Sequence, residues 1–324
     1  MTNSNMTAAN NIYPWLAGHW SFFIQRIEQG RLAHALMIEG PAGSGKNSLA
    51  RAMVAKLLCK ENQTDACGQC RSCQLLKGGA HPDYFEIYPE EDGKVIKIDQ
   101  VRALTERLHL TASISPRKVA YIHPAEAMNA SAANALLKSL EEPSGDTVLI
   151  LVSDNPARLP VTIRSRCQSV SVNQPDNNVV RDWLKKQSDA ADESLETALQ
   201  AAGHSPLMAL QYLASPELEA YGKVREGLAT LLDRPGAVSM IGSGLNDLKP
   251  ADLWRWLSLC TGDVIKSIMA GMPATWLPET SKLCSKTLLQ LQRQADINRQ
   301  LSATPVRGDL LLQDWLIRWA EQIV

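Results

Sequence analysis

The pattern of apolar and polar positions divides the chain into two parts. Up to about residue 173, short apolar runs alternate with amphipathic stretches, and later apolar positions recur at helical spacing. The apolar runs predict strands at 35–39, 84–88, 118–122, 148–152 and 168–172. The run Val148–Val152 is continuous and apolar, which is typical of the central strand of a parallel sheet covered on both faces. The pattern therefore predicts an α/β domain.

Amphipathic stretches predict the helices of this domain. They cover 13–29, 47–58 and 130–142, and another helix is predicted to open with Asp99 as its N-cap. Three short helices are predicted at 179–186, 193–201 and 206–213, and a helical pattern continues beyond residue 216. In this last part we assign the large apolar residues to the domain's own core, namely Trp254, Trp256, Leu257, Leu288, Leu289 and Leu291. The predicted domains are 1–173, 174–215 and 216–324.

Composition narrows the class of protein. The 324 residues are 45% hydrophobic and carry a net charge of −1, which argues against binding nucleic acid through bulk charge alone. The polar stretch 1–11 has no signal-peptide pattern, and no apolar run is long enough to span a membrane. We therefore expect a cytoplasmic protein without a membrane partner.

A glycine-rich segment points to a nucleotide. The segment Gly40–Ser48 reads GPAGSGKNS and follows the pattern G-x-x-x-x-G-K, in which backbone N–H groups surround phosphates and the lysine reaches the terminal ones. A predicted strand precedes it and a predicted helix follows, as a phosphate-binding loop requires. The alternative is a glycine-rich turn with a chance lysine. The candidate nucleotide-binding residues are Gly40, Gly43, Gly45, Lys46, Asn47 and Ser48.

Two features indicate that this nucleotide site is degenerate. Asn47 stands where a serine or threonine hydroxyl normally ligates Mg²⁺, so we expect Mg²⁺ to be poorly held. The predicted strand 118–122 ends in His123-Pro124, where a hydrolysing site needs carboxylates. Glu126 could supply a shifted carboxylate. If Glu126 does not serve in this way, ATP or ADP is expected to bind weakly or not at all, and bound ATP is expected to be hydrolysed very slowly.

Four of the seven cysteines are grouped. Cys59, Cys67, Cys70 and Cys73 have the spacing C-x7-C-x2-C-x2-C, which can place four thiolates around a tetrahedral Zn²⁺. Four cysteines leave no open coordination position, so the predicted zinc is structural and the module spans 59–73. The alternative is four reduced cysteines without metal.

Together with the glycine-rich loop and the four cysteines, the segments Ala135–Pro143 and Ser165–Cys167 carry a resemblance. The chain resembles the bacterial clamp-loader AAA+ family, strongly over residues 13–215 and beyond that only in its helical character. The resemblance implies a RecA-like P-loop domain with an inserted zinc knuckle, a helical lid and an all-α collar domain that assembles with other subunits.

The same resemblance assigns roles to residues. It implies that Arg166 enters the ATP site of a neighbouring subunit as an arginine finger. Met208 stands where the family's second-sensor arginine is expected. The departures fit a member without efficient ATPase activity of its own. Such a subunit would scaffold an assembly that loads a sliding clamp onto primer-template DNA.

Two alternatives from other classes stay open at this point. The chain could itself be an active P-loop ATPase that tolerates Asn47 and uses Glu126 as its base. It could instead be a zinc-containing nucleic-acid-binding module, recognisable by salt-sensitive DNA binding that depends on Cys70.

Overall fold

The structure, a computed structural model, describes residues 12–61, 63–90, 95–271, 274, 276–277, 283–302 and 304–322. The polar stretch 1–11, which contributed to the expectation of a cytoplasmic protein, lies outside the described residues. The chain forms two compact units. The first contains the residues up to Trp183 together with Ser205–Leu207, and the second contains Leu184–His204 together with Met208–Val324. Among the described residues, no helix has both the length and the apolar character needed to cross a membrane.

The first unit is built on a parallel five-stranded sheet. Its strands are β1 (Ala35–Glu39), β2 (Tyr84–Ile87), β3 (Lys118–Ile122), β4 (Thr147–Ser153) and β5 (Gln168–Ser171), in the order β2-β3-β4-β1-β5. In the register, Ile38 lies beside Val152, and Ile122 beside Leu151. The prediction of an α/β domain with a parallel sheet is confirmed.

Two apolar layers cover the faces of this sheet. In β4 every residue is buried, and its side chains alternate between the layers because neighbouring residues of a strand point to opposite faces. Val148 and Ile150 belong to one layer with the helices Ala17–Glu28 and Lys46–Leu58, while Leu149 and Leu151 belong to the other with the helices Ile98–Leu108 and Ala130–Glu141. The prediction of a central strand covered on both sides is therefore confirmed.

The predicted helices of the first unit are present, with one correction, and two short helices, Arg71–Lys77 and Val161–Arg164, were not predicted. They are α1 (Ala17–Glu28), α2 (Lys46–Leu58), α3 (Arg71–Lys77), α4 (Ile98–Leu108), α5 (Ala130–Glu141), α6 (Val161–Arg164) and α7 (Asn177–Gln187), whose last residues continue into the second unit. The prediction of Asp99 as an N-cap is wrong, because α4 already begins at Ile98. The N-cap is Lys97, whose N–H donates to Oε1 of Gln100 at 2.9 Å.

The second unit is helical. Its helices are α8 (Asp192–Ala201), α9 (Pro206–Leu213), which begins in the first unit, α10 (Glu217–Asp233), α11 (Val238–Leu245), α12 (Pro250–Ala270), α13 (Ser285–Leu301) and α14 (Gly308–Ala320). Trp254, Trp256 and Leu257 are buried, as predicted for a core. Leu289 was wrongly assigned to it and is 54% exposed. The buried face of α13 runs through Leu288, Leu291 and Ala295 at helical spacing, and Leu289 lies beside that face.

Candidate functional site

The glycine-rich loop connects β1 to α2, as predicted. Gly40, Gly43 and Gly45 have φ values of 151°, 72° and 91°, a region that favours glycine. A Cβ on Gly40 would lie 2.1 Å from the carbonyl oxygen of Val172, and one on Gly45 would lie 2.7 Å from Cδ2 of Tyr13. The backbone thus requires glycine at Gly40 and Gly45 for both φ and space.

The loop lysine bonds to acceptors of this same unit. The side chain of Lys46 is only 3% exposed, and its Nζ donates to the carbonyl oxygen of Pro41 at 2.6 Å. The same Nζ lies 2.7 Å from Oδ1 of Asp154, which directly follows β4. A nucleotide phosphate that recruited this lysine would have to replace an ion pair that already exists.

The residues after the lysine lie at the start of α2. The side-chain Oδ1 of Asn47 accepts a hydrogen bond from the hydroxyl of Tyr121 at 2.9 Å. Burial raises the pKa of Tyr121, so this hydroxyl keeps its proton and remains a donor. Ser48 is half-buried in the first turn of α2. The amide oxygen that stands in place of the usual Mg²⁺-ligating hydroxyl therefore already has a hydrogen-bond partner in the protein.

The end of β3 carries a charged cluster that the sequence analysis did not anticipate. Nε2 of His123 lies 2.9 Å from Oε1 of Glu86, and NH2 of Arg51 lies 2.7 Å from the same oxygen. The ring of His123 stacks on Tyr121 with centroids 4.5 Å apart. Burial opposes ionisation of Glu86, but the bonds to His123 and Arg51 prevail and lower its pKa. A carboxylate thus lies beside the strand end, but it is already paired with the Arg51 guanidinium and in contact with the His123 ring.

Glu126, the shifted carboxylate considered as a base, is also engaged. Its Oε1 accepts hydrogen bonds from the backbone N–H of Asp154 at 2.9 Å and of Asn155 at 3.1 Å. These bonds close the turn that follows β4 and orient the carboxylate toward that turn. This geometry indicates that Glu126 stabilises the turn after β4.

Aromatic side chains lie against the glycine-rich loop. Nε1 of Trp15 donates to the carbonyl oxygen of Ser44 at 2.8 Å, and the ring stacks on Tyr13 with centroids 5.0 Å apart. The ring of Trp183 meets both at right angles, at 5.5 Å from Tyr13 and 5.2 Å from Trp15. The backbone N–H of Leu207 donates to the carbonyl oxygen of Gly43 at 3.3 Å. Groups of the first unit thus satisfy carbonyls of the loop and cover Gly45.

The four predicted zinc ligands lie together. The Sγ atoms of Cys59, Cys67, Cys70 and Cys73 are all within 4.8 Å of one another, and those of Cys67 and Cys73 are 3.9 Å apart. Sulfurs bound tetrahedrally at about 2.3 Å from zinc would be roughly 3.8 Å apart, so this cysteine cluster fits the ion. The N–H of Cys67 points at Cys59 Sγ at 3.4 Å, and that of Cys70 at Cys67 Sγ at 3.3 Å. Such bonds stabilise thiolates.

A buried polar network joins the cysteine cluster to the rest of the first unit. The hydroxyls of Ser72 and Ser115 donate to the carbonyl oxygen of Leu58 at 2.6 and 2.9 Å. Nε2 of His81 lies 2.8 Å from Ser72 Oγ and 3.0 Å from Ser115 Oγ. Since both hydroxyl protons point to Leu58, the proton between the histidine and the serines belongs to Nε2. We call Leu58, Ser72, His81 and Ser115 the serine–histidine network.

The other side of His81 fixes its tautomer. Its Nδ1 accepts the backbone N–H of Asp83 at 3.1 Å, so this nitrogen carries no proton. Burial lowers the pKa of His81. The negative charge of Asp83 acts in the opposite direction but is the smaller effect, so the ring stays neutral. The carboxylate of Asp83 accepts three backbone N–H groups, from Ser113 at 2.6 Å and from Ile114 and Ser115 at 2.8 Å each. Nothing in the sequence pattern around residues 81–83 indicated this network.

Arg166, the predicted finger, lies just after α6. Its Nε donates to Oε1 of Glu141 at 2.9 Å, its NH2 lies 2.6 Å from the same oxygen, and its NH1 donates to the carbonyl oxygen of Thr162 at 3.0 Å. Its side chain is 36% exposed. The next residue, Cys167, packs against the core, and burial raises the pKa of its thiol to about 11. The half-buried cysteine thus anchors a segment that presents an arginine.

Met208 lies in the second unit. It occupies the position at which the resemblance places a second-sensor arginine. NH1 of Arg255 contacts its sulfur and lies 3.1 Å from the hydroxyl of Tyr212, and NH2 donates to the carbonyl oxygen of Ala202. Met208 therefore packs on an arginine of its own unit.

Comparisons with known proteins agree on one family. Residues 17–176 match the model of the family described as DNA polymerase III, delta subunit. The DNA polymerase III subunit delta' of Pseudomonas aeruginosa is 38% identical over 97% of this chain and 92% of its own length. The same subunit of Escherichia coli is 32% identical, over 94% of each chain. A DNA polymerase III gamma subunit-related protein of Thermotoga maritima shares the fold with a TM-score of 0.51 at 19% identity, over 94% of this chain and 99% of that one. The resemblance stated from the motifs is thereby confirmed, and the chain belongs to the DNA polymerase III subunit delta' family.

Proposed function

We propose that this chain is a clamp-loader subunit that hydrolyses little or no ATP itself and donates Arg166 to the ATP site of a neighbouring subunit. The observation that carries the proposal is the presentation of Arg166, whose side chain is 36% exposed and fixed by two acceptors of its own unit. A held guanidinium suits the neutralisation of charge on a transferred phosphoryl group, which elsewhere accelerates hydrolysis by about 10³ to 10⁵.

The state of the chain's own loop supports the first half of the proposal. Lys46 is paired with Asp154, Asn47 with Tyr121, and Glu126 with the turn after β4. Nucleotide would gain little from a lysine that must first leave its partner. At Asn47, the amide oxygen that would have to ligate Mg²⁺ already accepts the Tyr121 hydroxyl. ATP or ADP is thus proposed to bind weakly at most.

The other parts of the chain complete the proposed assembly. The cysteine cluster would hold a structural Zn²⁺ in a knuckle spanning 59–73, and 174–215 and 216–324 would serve as lid and collar. Through the collar the chain would assemble with the other clamp-loader subunits in the cytoplasm. That assembly would open a sliding clamp and place it on primer-template DNA.

The test is ATP hydrolysis by the reconstituted assembly with DNA and clamp present. Arg166→Ala should lower the rate by at least about 100-fold, whereas Arg158→Ala, a change at an exposed arginine of the same unit, should not. Assembly of each variant is checked first by size-exclusion chromatography. An unchanged rate with Arg166→Ala would remove the finger from the mechanism.

A second measurement addresses the alternative of an active ATPase. The isolated chain is mixed with labelled ATP, and hydrolysis is compared with that of Lys46→Ala. Hydrolysis that depends on Lys46 would favour the alternative. Salt-sensitive DNA binding by the isolated chain, lost in Cys70→Ser, would instead favour the nucleic-acid module.

A further inference from the structure

The arginine that we propose as the finger is held by a carboxylate from another element. Glu141 is the last residue of α5, and its Oε1 receives both Nε and NH2 of Arg166, at 2.9 and 2.6 Å. On the other side, NH1 donates to the carbonyl oxygen of Thr162 in α6 at 3.0 Å. The guanidinium is thus fixed between two helices.

The bonds leave part of the guanidinium available. Arginine carries five N–H groups. Within the part of the chain that the structure describes, one N–H on each of Nε, NH1 and NH2 has an acceptor. The remaining N–H on each terminal nitrogen can serve an outside acceptor such as a phosphate oxygen.

The ion pair contributes little to the stability of the fold. The side chains of Arg166 and Glu141 are 36% and 50% exposed, and exposed pairs are weakened by solvent and by the cost of ordering long side chains. Glu141 also stands at the C-terminal end of α5, where the helix dipole disfavours a negative charge. A role in holding Arg166 explains a carboxylate at this position better than a role in folding does.

We infer that Glu141 is a positioning residue for Arg166, which it keeps extended toward the neighbouring subunit's nucleotide. Its platform is rigid, because Leu136 and Leu140 of the same helix are buried in the core. Without the carboxylate, the long side chain would sample many rotamers and would have to be ordered at each turnover. Misplacement of a reacting group by about 1 Å can cost up to about 100-fold in rate. The inference rests on the proposed finger function.

The experiment uses the reconstituted clamp loader with clamp and primed DNA. Four versions of this chain are compared: the unmodified protein, Glu141→Ala, Arg166→Ala and the double variant. Glu142→Ala is the control, since that neighbouring glutamate is also exposed. Thermal unfolding should be the same for Glu141→Ala and the unmodified chain.

We expect Glu141→Ala to lower kcat for ATP by about tenfold with little change in KM, since orientation affects the transition state more than binding. Glu141→Gln, which keeps an oxygen acceptor, should recover part of the rate. In the Arg166→Ala background, removal of Glu141 should have no further effect.

The outcomes separate the two proposals. If Arg166→Ala leaves the rate unchanged, the finger function itself fails. If Arg166→Ala is slow but Glu141→Ala is as fast as the unmodified chain or faster, the positioning role fails. A further loss in the double variant, or an equal loss in Glu142→Ala, would also overturn it.

Discussion

The serine–histidine network should respond to mutation in a non-additive way. Leu58 and His81 each have two serine partners, because both hydroxyls reach the same carbonyl oxygen and the same ring nitrogen. Removing one hydroxyl, by Ser72→Ala or Ser115→Ala, leaves the other in contact with both groups. Removing both leaves a buried C=O and a buried N–H without partners.

The magnitudes follow from burial. Ser72 is 0% exposed, His81 6% and Ser115 7%, so water does not replace the lost bonds. Each single variant should lower the free energy of unfolding by about 1 kcal/mol, a typical net value for one hydrogen bond. In the double variant, two orphaned groups add about 1 kcal/mol each at the low end of the desolvation range. The total is about 4 kcal/mol, against about 2 kcal/mol if the effects added, which gives a coupling of about 2 kcal/mol.

Urea unfolding of the full chain in excess Zn²⁺ measures this cycle. Because the chain has two units, the transition of the first unit is followed separately from that of the second. The control pairs Ser72→Ala with Ser139→Ala, a buried serine that is 8% exposed and bonds weakly to Thr105 at 3.4 Å. That pair shares no partner and should be additive within about 0.5 kcal/mol.

Additivity of Ser72→Ala and Ser115→Ala within the same limit would refute the reasoning. It would mean that the two hydroxyls do not substitute for each other at Leu58 and His81. A single variant as costly as the double would refute it as well, because one serine would then carry the whole network.

Three further predictions concern the metal, the loop lysine and pH. Chelation of zinc, or Cys70→Ser, should lower Tm by several degrees in calorimetry, because the bound ion contributes folding energy. The control Cys284→Ser changes an exposed cysteine outside the cluster and should leave Tm unchanged. Equal Tm values with and without zinc would contradict a structural metal. Lys46→Met should leave the rate of ATP hydrolysis by the reconstituted assembly within about twofold of the unmodified rate. It should lower the free energy of unfolding by about 1–3 kcal/mol, because the carbonyl oxygen of Pro41 loses a charged donor. A rate loss of 100-fold or more would show that the lysine serves catalysis. Burial opposes ionisation of Asp83, yet the bonds from three backbone N–H groups lower its pKa in the folded protein. The ionised carboxylate therefore stabilises the fold above the unfolded pKa of about 3.9, and this stabilisation is lost as pH falls through the folded pKa. Asp83→Asn should therefore reduce Tm at pH 7 and flatten its decline below about pH 4, and an unchanged acid decline would exclude this carboxylate as its cause.

Features that depend on neighbouring residues were predictable from the sequence. The strand, loop and helix around Gly40–Lys46 follow from a local backbone requirement, since the turn needs residues that tolerate positive φ. The cysteine spacing likewise restricts where the sulfurs can lie, because short gaps keep thiolates close together. The continuous apolar run of β4 identified the central strand, since both of its faces had to be buried.

The state of each site was decided by contacts between distant parts of the chain. Lys46 meets Asp154, Glu86 meets His123, and Arg166 meets Glu141 only because the sheet order brings strand ends and helix ends together. Local periodicity carries no information on such pairs, since it records which face of an element is apolar and not which element covers it. The sequence by itself thus indicated the kind of sites to look for, a glycine-rich loop with the spacing of a phosphate-binding loop and a group of four cysteines. The tertiary structure decided which charges pair, because pairing depends on distances that packing alone sets.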